Sequence, residues 1–159
     1  MDSGSVRWAT EIDVAELVRL RRVMFESMGV AVAAADDEAA ALVLRTGLAN
    51  DDFFAAVVDG DGFLAACGIG MTALRVPGPG NPSGRWGYIQ SMVTDERCRR
   101  RGLARAVLDA LLERFAELNV VKVDLHATAA GEPLYRSMGF SPGAQVELRW
   151  SAQPPNACE

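Results

Sequence analysis

The sequence predicts an α/β (α+β) fold with three layers, αβα, in which helices cover both faces of a mixed, mostly antiparallel sheet. Two observations support this fold class. The turn sequence Asp59-Gly60-Asp61-Gly62 lies between two apolar runs, which is typical of an antiparallel hairpin. Further along, residues 86–127 follow the order strand, helix, strand. That order predicts two parallel strands joined by a right-handed crossover.

The first fifty residues predict a short edge strand and two helices. Residues 6–10 form the strand. Apolar side chains recur at helical spacing over residues 14–28, and Gly29 ends this first helix. Asp36 and Asp37 then open a second helix that runs to about residue 49, since acidic residues at a helix start complement its dipole.

The middle of the chain predicts the hairpin strands and a long loop. Residues 53–58 and 63–74 form the two strands, and Gly68 and Gly70 in the second predict a bulge or a close approach of another backbone. Residues 76–85, rich in proline and glycine, form a loop rather than a domain linker.

The remaining elements complete a single domain over residues 1–150. After the strand at 86–94, a helix over 103–119 has one apolar stripe, and a parallel strand follows at 120–127. A short helix over 133–138, ended by Gly139, and a last strand over 145–150 complete the set. The tail at 151–159 is predicted to be disordered.

Composition limits the kinds of protein this can be. The chain has 159 residues and a net charge of -5, which argues against a general nucleic-acid binder and mildly favours a cationic or amine partner. There is no signal sequence and no apolar run of about 20 residues, so neither membrane insertion nor secretion is expected, and a cytoplasmic location follows. Cys67, Cys98 and Cys158 lack metal-ligand spacing and predict free thiols in a reducing compartment, with no metal.

A basic turn before the long helix is the strongest chemical signal. It reads Arg99-x-x-Gly102-x-Ala104, with Arg100 and Arg101 in the gap. The glycine allows a ligand close to the backbone, and the arginines supply charge. Arginines are unfavourable beside the positive end of a helix dipole, so their presence suggests that an anion, such as a phosphate, lies between them. The alternative from the residues alone is a solvated basic run.

A second motif lies about thirty residues further on, where Tyr135 stands four residues before Gly139-Phe140 on the short helix. Together with the basic turn and the order of elements, it resembles the GCN5-related N-acetyltransferases, the GNAT superfamily, over residues 6–150. The resemblance implies an N-acetyltransferase with acetyl-CoA as cosubstrate, and a GNAT-like sheet whose parallel unit holds the coenzyme.

The family's site residues can be carried onto this sequence by their motifs. The resemblance implies that Met92 and Val93 hold the pantetheine arm and polarise the thioester through backbone groups, and that Tyr135 protonates the leaving thiolate. Thr128 stands where many members have an asparagine that contacts the arm. The pyrophosphate would be held by Arg99, Arg100, Arg101, Gly102, Leu103 and Ala104.

The general base is left open by the sequence. Many members carry a carboxylate on the strand before the basic turn, whereas this chain has Gln90, which accepts no proton at neutral pH but can orient an amine or a water. His126, after the parallel strand, has a side chain suited to the task. The other candidate bases are Asp36, Glu38 and Asp124.

The residues and the resemblance leave three functions open. The first is transfer of acetyl from acetyl-CoA to a small-molecule or peptide amine by direct attack, without a covalent enzyme intermediate. The second, motivated by Gln90, is a non-catalytic acyl-CoA-binding sensor on the same fold. A nucleotide site of another kind lacks its glycine motifs here. The acceptor, the acyl length and the oligomeric state are not specified by the sequence, although dimers are frequent in the family.

Overall fold

The computed structural model describes residues 4–152. The chain divides into two compact units, Met1–His126 and Ala127–Glu159. Among the described residues, the first unit contains the five strands and three helices, and the second contains a short helix. The strands are β1 Val6–Trp8, β2 Phe53–Asp59, β3 Leu64–Leu74, β4 Arg85–Thr94 and β5 Val123–Leu125, and the helices are α1 Val14–Ser27, α2 Ala34–Leu48, α3 Leu103–Glu117 and α4 Glu132–Ser137.

The sheet has the order β1-β2-β3-β4-β5. The first four strands are antiparallel neighbours, whereas β4 and β5 are parallel, with Gly87 opposite Val123 and Ile89 opposite Leu125. This confirms the predicted mixed, mostly antiparallel sheet and its parallel strand-helix-strand unit.

Helices cover the two faces of this sheet. Side chains of α1 and α2, including Leu17 and Leu44, pack with Val57 and Cys67 on one face. On the other face α3 approaches the glycines of the strands. A Cβ atom at Gly68 would lie 2.4 Å from the Met92 Sδ atom and 2.8 Å from Val107. The three-layer arrangement is therefore confirmed. The groups that come close to Gly68 are side chains rather than another backbone, and the predicted bulge lies opposite this glycine, in β4.

Glycines end two of the helices as the sequence predicts. Gly29, with φ +74°, follows α1, where the Val30 N–H donates to the Phe25 carbonyl at 2.9 Å. Gly139, with φ +96°, follows α4, where the Phe140 N–H donates to the Tyr135 carbonyl at 3.0 Å. Both are Schellman motifs, in which the left-handed residue satisfies carbonyls that the helix leaves open.

The last predicted strand is wrong. Residues 145–150 contain no strand, and the side chains of Val146, Leu148 and Trp150 are all more than four-fifths exposed, at 84%, 89% and 86%. Their alternation with polar residues is the pattern of a strand, but a strand also needs a neighbour, which that pattern does not supply. The single domain over residues 1–150 stays a prediction. Most of the predicted tail, with Cys158, lies outside the described residues.

No helix among the described residues is long and apolar enough to cross a membrane.

Candidate functional site

The basic turn joins β4 to α3 through two left-handed residues. After a short 3-10 turn over Glu96–Cys98, Arg100 has φ +63° and Gly102 has φ +77°. The side chains of Arg99, Arg100 and Arg101 are exposed, and Leu103 is buried beneath the helix start. In a turn of this kind, successive backbone N–H groups can point toward a common concavity, so this geometry suits an anion.

At the start of α3, no side chain of the helix takes the place of such an anion. Within α3, which is described throughout, the N-cap is Gly102, no side chain caps the helix, and the first turn has no acidic residue. The first N–H groups of a helix find no partner inside it. A bound anion would satisfy them and would neutralise the neighbouring arginines.

Asp95 fixes the beginning of this turn. The side chain is 4% exposed, and its carboxylate accepts hydrogen bonds from the Arg97 backbone and side chain and from Arg19 of α1 at 2.8 Å. The Arg97 guanidinium lies 3.7 Å from the centre of the Phe63 ring. These contacts hold the pKa of the Asp95 carboxyl well below its usual range, chiefly through the hydrogen bonds from Arg97.

A bulge interrupts β4 just before the turn. Cys67 lies opposite Val93 and Ile69 lies opposite Gln90, so two β4 residues, Ser91 and Met92, face the single residue between Cys67 and Ile69. Ser91 has φ +52°, which is unusual for a residue with a side chain. The Ser91 carbonyl accepts a hydrogen bond from the Cys67 thiol at 3.5 Å.

The far side of β4 is open beyond Ile89, where its described pairing with β5 ends. The Asp95 N–H donates to Ala65 of β3 at 2.8 Å. Because antiparallel ladders alternate, Val93 then turns its backbone groups toward Cys67, and Thr94 turns its N–H away from β3. The Met92 carbonyl, in the same peptide as the Val93 N–H, also faces the open side. The register thus directs Met92 and Thr94, rather than Val93, outward.

One face of β4 and β5 carries the polar side chains. The Tyr88 hydroxyl is hydrogen-bonded to His126 Nδ1, with ring centres 5.7 Å apart. Gln90, two residues from Tyr88, is exposed and its amide contacts Met71 Sδ at 3.5 Å. Asp124 accepts a hydrogen bond from the Trp86 indole at 2.7 Å. The structure therefore places Gln90, Tyr88 and His126 on one face of β4 and β5.

The two candidate bases on α2 lie at its start. The Asp36 carboxylate accepts the Ala33 N–H at 2.8 Å, which is a capping contact, and Glu38 is exposed in the next turn. The Asp36 carboxylate is thus engaged in capping the start of α2.

Thr128 and Tyr135 lie in the second unit. The Thr128 hydroxyl accepts the Gly131 N–H at 3.2 Å, in the turn before α4. The half-buried Tyr135 ring meets the Phe140 ring edge-on, with centres 5.9 Å apart. Burial raises the pKa of the Tyr135 hydroxyl, which therefore keeps its proton at neutral pH.

A surface cavity of about 440 Å³ lies between the end of α1 and the turn after β4. It is lined by Val23, Glu26, Ser27, Asp95, Glu96 and Arg97. Among the described residues, no group of three or more His, Cys, Asp or Glu side chains could hold a metal ion.

Sequence reasoning missed two residues of this region. The sequence placed Tyr88 in a predicted strand but indicated no contact for its side chain. Its contact with His126 depends on the register of β4 and β5, which are far apart in sequence. Thr94 was missed because the bulge shifts which residues face outward, and Ser91 gives no sign of its left-handed conformation. The repeated spacing of Trp86, Tyr88 and Gln90 was the available signal that they share a face.

The chain is similar to known acetyltransferases. The model of the acetyltransferase (GNAT) family matches residues 15–140. The structure is similar to that of a predicted acetyltransferase from Clostridium acetobutylicum with acetyl-CoA, at 27% identity and TM-score 0.83, covering 91% of this chain and 95% of that one. It is also similar to a GCN5-related N-acetyltransferase from Ralstonia eutropha, at 29% identity and TM-score 0.81, covering 92% and 97%.

A more distant structure shares the fold alone. Glucosamine-6-phosphate N-acetyltransferase from Arabidopsis thaliana is 18% identical, with TM-score 0.71, and the match covers 94% of this chain and 99% of that one. No curated protein sequence matches the chain significantly.

Proposed function

The chain belongs to the GNAT acetyltransferase family, and from this premise we propose that it transfers an acetyl group from acetyl-CoA to a small-molecule or peptide amine. The observation that carries the proposal is the start of α3. There the turn with Arg99 to Arg101 and two left-handed residues leads into a helix whose first N–H groups are not capped by a side chain. This arrangement lies at the end of a strand whose other side is open. An extended ligand with a pyrophosphate at one end fits both features.

In this proposal the coenzyme binds along the open side of β4. The pyrophosphate accepts hydrogen bonds from the start of α3, at the residues Arg99, Arg100, Arg101, Gly102, Leu103 and Ala104. The pantetheine arm pairs with the Met92 carbonyl and the Thr94 N–H. Val93 supports the arm from the core, opposite Cys67. By its motif position, Thr128 is assigned a further hydroxyl contact to the arm.

The chemical step is direct attack of a neutral amine on the thioester carbonyl carbon. The C–N bond forms, the carbonyl electrons move to oxygen, and the Met92 N–H stabilises that oxyanion. The intermediate then collapses, the C–S bond breaks, and the coenzyme leaves as a thiolate. Tyr135 protonates the thiolate, and burial, which raises the pKa of its hydroxyl, keeps the proton there at neutral pH before that step.

The proton of the attacking amine passes to His126. The hydrogen bond between the Tyr88 hydroxyl and His126 Nδ1 orients the imidazole on the face that carries Gln90. Gln90, on the same face, orients the amine or an intervening water.

Calorimetry with acetyl-CoA tests the proposal first. We expect a dissociation constant below about 1 mM, since the anion site and the open strand both contribute contacts. A screen of amines with detection of free thiol then tests transfer. Absence of binding would contradict a coenzyme site. Binding without turnover on any amine would instead favour the sensor, the function that the lack of a carboxylate at Gln90 supports.

Substitutions at Tyr135 and His126 test the proton steps. We expect Tyr135→Phe and His126→Gln each to lower kcat by about a hundredfold, because each removes one proton transfer, while acetyl-CoA affinity stays close to that of the unaltered protein. Steady-state kinetics and calorimetry measure the two quantities. Tyr88→Phe is the graded variant: it keeps the ring and loses the contact with His126, and its effect should be smaller. Unchanged kcat in His126→Gln would exclude His126 as the base.

A further inference from the structure

We propose that Cys67, on β3, is a positioning residue that orients the backbone N–H of Met92 for the reaction. This inference rests on the proposed acetyl transfer and names a residue of β3, outside the binding turn. It starts from the bulge in β4, where Ser91 and Met92 stand opposite one residue of β3.

The peptide between Ser91 and Met92 is held by the Cys67 thiol. In a regular ladder each peptide group pairs with the next strand, but the bulge takes this one out of register. The Ser91 carbonyl instead accepts the Cys67 Sγ–H at 3.5 Å. Cys67 is 2% exposed, so water has little access to the carbonyl from that side.

Fixing the carbonyl also fixes the N–H. No cis peptide bond is present in the described residues, and in a trans peptide the C=O and N–H point in opposite directions. With the Ser91 carbonyl directed at Cys67, the Met92 N–H is directed away from Cys67. The same thiol hydrogen bond therefore sets the direction of the donor assigned to the oxyanion.

The surroundings of Cys67 match this role. Burial raises the pKa of the Cys67 thiol to about 12, so at neutral pH it stays protonated and remains a hydrogen-bond donor. The next residue, Gly68, makes room on the other face of the sheet, since a Cβ atom there would lie 2.4 Å from Met92 Sδ. Cys67 and Gly68 thus shape the bulge from opposite faces of β3.

Four proteins test the proposal: the unaltered chain, Cys67→Ala, Cys67→Ser and Val57→Ala. Val57 lies opposite Cys67 on β2 and is fully buried, so Val57→Ala leaves a cavity beside the same position but removes no donor. Cys67→Ser keeps a donor of similar size. We expect Cys67→Ala to lower kcat about tenfold with KM for acetyl-CoA changed less than about twofold, because the donor acts mainly on the transition state.

The controls give the proposal two ways to fail. Cys67→Ser should retain kcat within about twofold and Val57→Ala should lose thermal stability without losing kcat. Equal loss of kcat in Cys67→Ala and Val57→Ala would show a merely structural role. Loss in Cys67→Ser equal to that in Cys67→Ala would show that the hydrogen bond is not the cause.

A second measurement separates this inference from the proposed function. The amide signal of Met92 in NMR spectra of the ligand-free protein should move in Cys67→Ala and stay nearly in place in Val57→Ala. If the unaltered protein transfers no acetyl group, the proposed function fails, and this signal still decides whether Cys67 holds the peptide. A Met92 amide that is unmoved in Cys67→Ala overturns the inference, whatever the activity.

Discussion

Gly102→Glu is expected to weaken acetyl-CoA binding by a hundredfold or more. Two effects act together. The residue has φ +77°, a conformation that costs a residue with a side chain about 1 kcal/mol or more, and the new carboxylate would stand where the pyrophosphate is proposed to bind. A Cβ atom at Gly102 meets nothing within 4 Å, so crowding is not the cause and the fold should be kept. Calorimetry measures the affinity.

Gly62→Glu is the matched control for this substitution. Gly62 also has φ +77° and also has nothing within 4 Å of its would-be Cβ, but it lies in the hairpin turn between β2 and β3. The backbone cost is therefore the same, and the new charge lies in the hairpin turn rather than at the start of α3. Affinity in Gly62→Glu should match that of the unaltered protein. If Gly102→Glu also binds acetyl-CoA normally, the pyrophosphate does not bind at α3.

Gly102→Ala separates the two effects at the helix start. It carries the backbone cost without the charge, so its loss of affinity should lie between those of the unaltered protein and Gly102→Glu. An affinity as low as that of Gly102→Glu would mean that backbone conformation alone forms the site.

The parts of the fold that were predicted correctly are those encoded by nearby residues. The hairpin at Asp59 to Gly62 depends on its own turn residues, and α3 depends on an apolar stripe along one segment. The basic turn is equally local, because glycine at 102 and the arginines before it are adjacent in sequence. Each of these could be read without knowing what packs against it.

The parts that were missed depend on residues far apart in sequence. Ser91 has φ +52° in a bulge that lies opposite Gly68 of β3, and nothing beside Ser91 in sequence indicates this conformation. The bulge adds one residue to β4, and a shift of one residue changes which backbone groups face a neighbour. That shift alone turns the backbone groups of Thr94, rather than those of Val93, away from β3. Residues 145–150 show the converse, because they have the alternating pattern of a strand and form no strand.

Asp95→Asn is expected to lower the free energy of unfolding by about 3 kcal/mol at neutral pH, the range for breaking a buried charge pair. The carboxylate is almost fully buried and accepts hydrogen bonds from Arg97 and from Arg19 of α1, so it connects the turn after β4 to the first helix. Asparagine keeps one acceptor for the Arg97 N–H but removes the charge that both guanidinium groups need. Chemical denaturation measures the difference.

Asp59→Asn is the matched control, because that carboxylate also binds an arginine, Arg7, but is 58% exposed. Exposed ion pairs contribute less, so its loss should be below about 1 kcal/mol. An equal loss in the two variants would contradict a special role for the buried position.

The pH dependence gives the sharper test of Asp95. Its pKa in the folded protein lies well below the ordinary value near 4, because Arg97 and Arg19 stabilise the ionised form. The ionised carboxylate therefore contributes its full stability above the unfolded pKa, and this contribution is lost as pH falls from about 5 toward the folded pKa. The stability difference between the unaltered protein and Asp95→Asn should thus be constant from pH 8 to about pH 5 and shrink in more acidic solution. A difference that grows on acidification would mean that the folded protein favours the protonated Asp95, and the hydrogen bonds from Arg97 and Arg19 would then not be what stabilises the turn.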